Sequence, residues 1–131
     1  MTPIPVGTQG EQKLLVTSEY SIAFLGLEDA RVLGTPWMIG LMEWTCRNTV
    51  KPLLDEGCDT VGTHVDVKHL APTPLGMSVT FRCEVLAADE RRISFRVEAF
   101  DEKEKIGEGT HERAIINVAR FATKLAAKRA G

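Results

Sequence analysis

The sequence predicts an α+β protein in which a curved antiparallel sheet wraps around one long central helix. Apolar residues cover every side of residues 35–54, which is typical of a helix surrounded by other structure. After this segment, apolar and polar residues alternate in four successive stretches, the pattern of antiparallel strands. A further strand is predicted before the helix. Because the helix is apolar on every side and the other predicted elements are mainly strands, the sheet is expected to enclose it.

Length and charge restrict the classes of protein that the chain can represent. The 131 residues carry a net charge of −2 and fit one domain spanning residues 1–131, without the basic surface that nucleic-acid binding requires. No apolar run reaches the length of a membrane span, and the N-terminus lacks the features of a signal peptide. Cys46, Cys58 and Cys83 lack paired spacing and are expected to be reduced thiols. We therefore expect a cytoplasmic protein with neither a nucleic-acid nor a membrane partner.

The N-terminal part contains weak signals. Residues 1–10 are rich in proline and glycine and are predicted to form a flexible arm. A first strand is predicted over residues 11–19. Residues 21–32 are compatible with a short helix followed by a loop.

The central helix has clear boundaries in the sequence. Thr35 is predicted as its N-cap and Pro36 as its first helical residue. The helix is expected to end near residue 54, before Gly57, unless Pro52 ends it earlier.

The C-terminal half is predicted to form the rest of the sheet. Its alternating segments lie near residues 61–69, 79–85, 93–99 and 105–117. Residues 119–131 are predicted to form an exposed, basic helix.

Glu43 is the candidate for chemistry that the sequence marks most clearly. It is the only charged residue between Arg31 and Arg47, within the most apolar part of the chain. A carboxylate in such surroundings is destabilised unless it is paired, hydrogen-bonded or protonated. This position suits acid–base chemistry, although a structural hydrogen bond would explain it equally well.

The helix also predicts an assembly. Trp37, Trp44 and the neighbouring methionines are more than one sheet face would cover. We therefore expect a homodimer, and the sequence leaves open whether dimers pair into a tetramer.

Four motifs then resemble those of one family. They comprise residues 40–44 (GLMEW), residues 61–63 (VGT) with His69, residues 71–76 (APTPLG), and residues 106–114 (IGEGTHERA). With these motifs the chain resembles the hotdog-fold thioesterases, and most closely the fluoroacetyl-CoA thioesterase-like group, from about residue 34 to residue 121. The resemblance implies a hotdog fold that hydrolyses a small acyl-CoA thioester without a metal or redox cofactor.

The resemblance also implies the catalytic residues. In the family, a threonine lies eight positions before the catalytic glutamate, and a histidine lies twenty-six positions after that glutamate. Thr35, Glu43 and His69 have this spacing. The threonine could attack the thioester or orient a water molecule. From the residues alone, Thr35 could be only a helix cap, and His69 only a core residue.

By the same resemblance, Gly62 and Arg113 contact the acyl group. The residues themselves allow other roles, because Gly62 could mark a close backbone approach or an oxyanion-binding N–H, and Arg113 could form an ion pair. His111 shares strand parity with Arg113 and is expected to face partly inward, whereas His64 is expected at the surface.

One position departs from the family pattern. The fluoroacetate enzyme has a phenylalanine of its aromatic gate six residues before the threonine, where this chain has Asp29. We therefore expect weak preference, or none, for a fluoroacetyl group. Two alternative functions are a non-catalytic acyl-CoA-binding or sensing protein and a hotdog hydratase or dehydratase; the complete spacing of the catalytic residues favours hydrolysis.

Overall fold

The computed structural model describes residues 3–131, which form five strands, two α-helices and three short 3₁₀ turns. In chain order the main elements are β1 (Gln9–Leu15), α1 (Thr35–Val50), β2 (Cys58–His69), β3 (Ser78–Ala88), β4 (Arg92–Phe100), β5 (Lys105–Asn117) and α2 (Val118–Ala130). The 3₁₀ turns are Ser18–Tyr20, Glu28–Ala30 and Lys51–Leu53.

The five strands form one antiparallel sheet in the order β1-β3-β4-β5-β2. The two edge strands, β1 and β2, are consecutive in sequence, and α1 is the element between them. This helix packs against β1, β2, β3 and β4. The predicted α+β architecture, a sheet around one helix, is therefore confirmed.

Strand periodicity builds the core. Along β4, Ile93, Phe95, Val97 and Ala99 are completely buried, while the residues between them face the other side of the sheet. Cys46 and Cys83 lie in this core as free thiols.

The helix α1 is buried on one face only, which corrects the prediction that it is enclosed on every side. The buried residues recur at helical spacing and are Met38, Met42, Thr45, Cys46 and Val50. On the other face, the side chains of Trp37 and Trp44 remain 46% and 53% exposed. The reason is geometric, because the sheet lies on one side of the helix.

The start of α1 differs from the prediction, and its end follows the alternative in which Pro52 ends the helix before residue 54. The N-cap is Gly34, and the hydroxyl of Thr35, the first helical residue, makes no capping bond. Thr35 is therefore not the N-cap. The α-helix ends at Val50, and the chain continues as the 3₁₀ turn Lys51–Leu53. Pro52 accounts for this change, because it lacks an N–H and clashes with the preceding helical turn.

The predicted flexible arm over residues 1–10 needs correction from Ile4 onward. Ile4 is 3% exposed and belongs to the core. The Gly7 N–H donates to the Val85 carbonyl, and the Val85 N–H donates to the Thr8 carbonyl. These bonds extend the pairing of β1 with β3. Met1 and Thr2 lie outside the described residues.

The segment between β1 and α1 is a long loop with two 3₁₀ turns, instead of the predicted short helix. Arg31 fastens its base, because its Nη2 donates to the Ser18 carbonyl at 3.0 Å and to the Ser21 hydroxyl at 2.7 Å. The tip is anchored less and exposes apolar side chains, including Phe24, which is 80% exposed. The loop therefore presents an apolar tip on a fixed base.

The C-terminal helix α2 starts one residue before its predicted beginning. The Asn117 side chain caps it by accepting a bond from the Arg120 N–H. Its side chains are largely exposed. Among the described helices, none is long and apolar enough to cross a membrane.

Candidate functional site

The N-terminus of α1 lies against the C-terminal end of β2. Thr35 Oγ1 lies 2.7 Å from His69 Nδ1, which makes a hydrogen bond between the first residue of the helix and the last residue of the strand. The other ring nitrogen, His69 Nε2, is buried and has no hydrogen-bond partner among the described residues. Burial lowers the pKa of His69 below its usual value, although a backbone hydrogen bond at Ala71 opposes the shift. The imidazole is therefore neutral at pH 7 and can accept a proton.

A groove with largely apolar walls leads to this pair. Its sides include Val32 and Leu33 from the loop, Leu70 directly after β2, and Phe24 from the loop tip. Asp29 lies in the 3₁₀ turn Glu28–Ala30 and is solvent-exposed. The groove can hold a small uncharged group beside the hydroxyl and the neutral ring.

Glu43 lies elsewhere in the same chain. It follows Thr35 by eight residues, which is about 12 Å along the helix axis at about 1.5 Å per residue. Its side chain is 38% exposed, so the burial expected from its apolar neighbours is only partial. Within one chain, Thr35 and His69 are therefore in contact, but Glu43 is not near them, because about two turns of helix separate Glu43 from Thr35.

Gly62 lies directly beside the Glu43 carboxylate. A Cβ atom at this position would overlap Glu43 Oε1 and would crowd the ring of His111. The strand also bulges next to it, since Gly62 pairs with Arg113 and His64 pairs with Glu112, which leaves Thr63 out of the register with β5. The Thr63 hydroxyl donates to the Glu112 carbonyl at 3.1 Å. Glycine at position 62 therefore leaves room for the Glu43 carboxylate. It does not serve the close approach of two backbone segments that the sequence analysis considered.

Arg113 reaches the same carboxylate from β5. Its Nη1 lies 3.9 Å from Glu43 Oε1, and the residue is only 7% exposed. The guanidinium donates from Nε to the Thr60 hydroxyl at 2.7 Å and from Nη2 to the Thr60 carbonyl at 2.9 Å. Burial lowers the pKa of Arg113 from its usual value, and the Glu43 charge opposes the shift. A buried cation thus faces the carboxylate without bonding to it directly.

His111 is the residue in this cluster that sequence reasoning gave no role. It is 1% exposed, and its Nε2 lies 3.1 Å from Arg113 Nη1 and 3.8 Å from Glu43 Oε1. Its shared parity with Arg113 predicted an inward direction, which the structure confirms. Thr60 was also missed, because its role depends on the pairing of β2 with β5.

A charged pair fixes the helix against the strand in this region. Arg47 on α1 donates to both carboxylate oxygens of Asp59 on β2, from Nε at 3.0 Å and from Nη2 at 2.6 Å. These bonds to Arg47, with a further bond from the Thr60 N–H, lower the pKa of Asp59 to about 2. The pair connects the element that carries Glu43 to the element that carries Gly62.

Comparisons with known proteins identify relatives of high similarity. The profile of a family described as fluoroacetyl-CoA-specific thioesterase matches residues 16–119. A fluoroacetyl-CoA thioesterase from Streptantibioticus cattleyicolor is 43% identical over 101 residues, which cover 77% of this chain and 73% of that protein.

Solved structures agree with this match. The fluoroacetyl-CoA thioesterase FlK superposes with a TM-score of 0.87 at 36% identity, covering 95% of this chain and 97% of that one. A thioesterase superfamily member from Thermus thermophilus superposes with a TM-score of 0.88 at 32% identity, covering 98% and 96% of the two chains. The structural likeness confirms the predicted hotdog fold.

The Arg47–Asp59 pair predicts a pH-dependent contribution to stability. The pKa of Asp59 is lowered from 3.8 to about 2 on folding, so the ionised pair stabilises the fold above pH 3.8 and stops doing so as the pH falls toward 2. We expect Asp59→Asn to lower the free energy of unfolding by about 1–2 kcal/mol at pH 7. Urea denaturation across this pH range should show the difference shrinking on acidification.

The matched control is Glu11→Gln. Glu11 pairs with Arg82 across neighbouring strands, but both side chains are 57% exposed, so little change in stability is expected. Equal losses in the two variants, or a loss in Asp59→Asn that persists at pH 2, would contradict the assignment.

Proposed function

The chain belongs to the family of fluoroacetyl-CoA-specific thioesterases, and from this premise we propose that it hydrolyses a small acyl-CoA thioester to the free acid and CoA. The observation that carries the proposal is the 2.7 Å contact between the Thr35 hydroxyl and a neutral His69 at the end of an apolar groove. Acyl-CoA is thus the proposed partner, and the proposed location is the cytoplasm.

Thioester hydrolysis requires a base near the attacking oxygen and a donor for the oxyanion. His69 Nδ1 is placed to accept the Thr35 proton, which prepares that oxygen either to attack the carbonyl carbon or to hold the attacking water. We assign the oxyanion donor to the backbone near Gly62. The bulge at Thr63 supports this assignment, because a bulge leaves backbone groups outside the ladder.

We propose that two copies of the chain complete each site. The Thr35–His69 pair of one subunit would meet Glu43 of the partner subunit, since the two groups in one chain are about 12 Å apart along α1. The exposed Trp37 and Trp44 support a homodimer, because they lie on the face of α1 that the sheet leaves uncovered. Gly62 and Arg113, next to Glu43, would contact the acyl group from the same direction.

The first prediction from this proposed function concerns activity and substrate. We expect the purified protein, with a chelator present, to release CoA from at least one member of a panel of short, branched, halogenated, aromatic and long acyl-CoAs. Because Asp29 is exposed and charged, we expect little preference for fluoroacetyl-CoA over acetyl-CoA. Free thiol is measured continuously with a chromogenic reagent.

Two results of the panel would change these conclusions. Tight binding of acyl-CoAs without any release of thiol would favour a sensing protein over an enzyme. A strong preference for fluoroacetyl-CoA would show that another residue of the loop, such as Phe24, replaces the missing gate.

The second prediction concerns the catalytic residues. Glu43→Gln and His69→Ala should each lower kcat by about 10²–10⁴-fold with KM nearly unchanged, which is the range for groups that act in proton transfer. Thr35→Ala is a clean test of the hydroxyl, because Thr35 makes no capping bond. Thr35→Ser retains the hydroxyl and should be far more active. His64→Ala is the control, since that side chain is 56% exposed on the same strand as His69.

Wild-type turnover in both Glu43→Gln and His69→Ala would exclude this site from the chemistry. Loss of activity in the His64→Ala control would point to damage to β2 as a whole.

The third prediction tests the shared site directly. We expect Glu43→Gln and His69→Ala homodimers to keep only the residual activity stated above. A hybrid of the two, isolated with different affinity tags, should regain about half of the wild-type activity per dimer. One of its two sites would combine an intact Thr35–His69 pair with an intact Glu43 of the partner subunit.

The matched control carries the same two substitutions on one chain, paired with a wild-type chain. A site shared between subunits makes this hybrid inactive, because each site then contains one substitution. A site within one chain gives the opposite result in both hybrids. Light scattering that finds an active monomer would also reject the dimeric site.

A further inference from the structure

We infer that His111 is a positioning residue that acts through Arg113, holding the guanidinium nitrogen nearest to Glu43 so that the carboxylate stays free of a direct bond. The inference rests on the proposed function, because Glu43 is one of its catalytic residues. It assigns a role to a buried histidine that neither proton transfer nor substrate contact requires.

Two contacts define the protonation state of His111. Its Nδ1 lies 2.8 Å from the His64 carbonyl oxygen, which can only accept, so Nδ1 carries the proton. Its Nε2 lies 3.1 Å from Arg113 Nη1, and a guanidinium can only donate, so Nε2 must present a lone pair. Both contacts are satisfied by one tautomer of the neutral ring. A doubly protonated ring would set two donors against each other.

The surroundings of the ring favour the same neutral form. Burial lowers the pKa of His111, and the charge of Arg113 on its own strand and the nearby His64 on β2 act in the same direction. The backbone hydrogen bond to His64 and the charge of Glu43 on α1 oppose the shift. On the β4 side, the uncharged ring of Phe95 is stacked on it, with centroids 6.2 Å apart.

His111 has a distinct place among the partners of Arg113. Thr60 accepts from Nε and Nη2, which leaves Nη1 as the nitrogen that His111 alone engages within the described chain. Nη1 is also the nitrogen that faces Glu43, at 3.9 Å from Oε1. A buried N–H requires an acceptor. Without the imidazole, the Glu43 carboxylate is the nearest candidate.

This competition has a chemical consequence. A carboxylate that accepts a charge-assisted hydrogen bond from a guanidinium is a weaker base and has fewer free lone pairs. By accepting from one of the two Nη1 N–H groups, while Thr60 holds Nε and Nη2, His111 keeps Nη1 at 3.9 Å from Glu43 Oε1. The attraction of the Arg113 charge for Glu43 is then retained without a direct bond. Loss of this contact should therefore affect the chemical step more than the binding of acyl-CoA.

The test compares His111→Phe with His111→Gln. Phenylalanine keeps a ring against Phe95 but removes both polar contacts, whereas the glutamine amide oxygen can replace Nε2 as the acceptor for Arg113. We expect His111→Phe to lower kcat about 10–100-fold with KM nearly unchanged, by analogy with the loss of residues that orient metal ligands. His111→Gln should recover most of this loss. Circular dichroism and thermal melts establish that both variants are folded.

Wild-type kcat in folded His111→Phe would overturn the inference. Equal losses in the two variants would also overturn it, because glutamine keeps an acceptor for Arg113 Nη1 and phenylalanine does not. An increase in KM with unchanged kcat would assign His111 to binding instead.

A spectroscopic measurement decides the contact even if a variant does not fold. The chain has three histidines, so nitrogen-15 spectra of the wild-type protein can be assigned with His64→Ala and His69→Ala. We expect His111 to be neutral and protonated at Nδ1 only at neutral pH. An Nε2-protonated ring would overturn the inference. Failure of the hydrolysis panel would instead remove the proposed function and leave this measurement valid.

Discussion

One face of a sheet can cover only part of the circumference of a helix. In this protein, α1 presents its methionine stripe to the sheet and leaves Trp37 and Trp44 outside. The other features follow from this constraint. The helix connects the two edge strands and meets β2 at two separate places. At its start Thr35 lies beside His69, and in its middle Glu43 lies beside Gly62, so the polar residues form two groups. A single chain therefore holds two parts of a site, with apolar surface on the helix face between them.

The sequence predicted the architecture well, because the fold depends on local periodicity. The last strand has the predicted bounds, Lys105–Asn117, and α1 begins at Thr35, one residue before its predicted first helical residue. The errors lie where tertiary contacts override local preference. Thr35 has the chemistry of an N-cap, but its hydroxyl bonds to His69 instead. Residues 4–10 have the composition of a loose arm, but pairing with β3 orders them.

The candidate site could be predicted only in part. The spacing of Thr35, Glu43 and His69 can be read from the sequence, but their separation in space depends on helical rise and on the end of β2. The surroundings of Glu43 could not be predicted, because the pairing of β2 with β5 sets Gly62 opposite Arg113. His111 contributes through its contact with Arg113, and strand parity reveals only that it faces inward.

The exposed face of α1 also gives the protein an internal optical reporter. Its two tryptophans are the only ones in the chain, and they lie seven residues apart on that face. The sheet core contains no indole, so tryptophan fluorescence, excited selectively over that of Tyr20, originates entirely from the surface that the sheet leaves bare. Emission wavelength, quenching by iodide and polarisation thus report on the wetting of this single face. Changes there can be followed in unmodified protein, without a dye and without a signal from the interior.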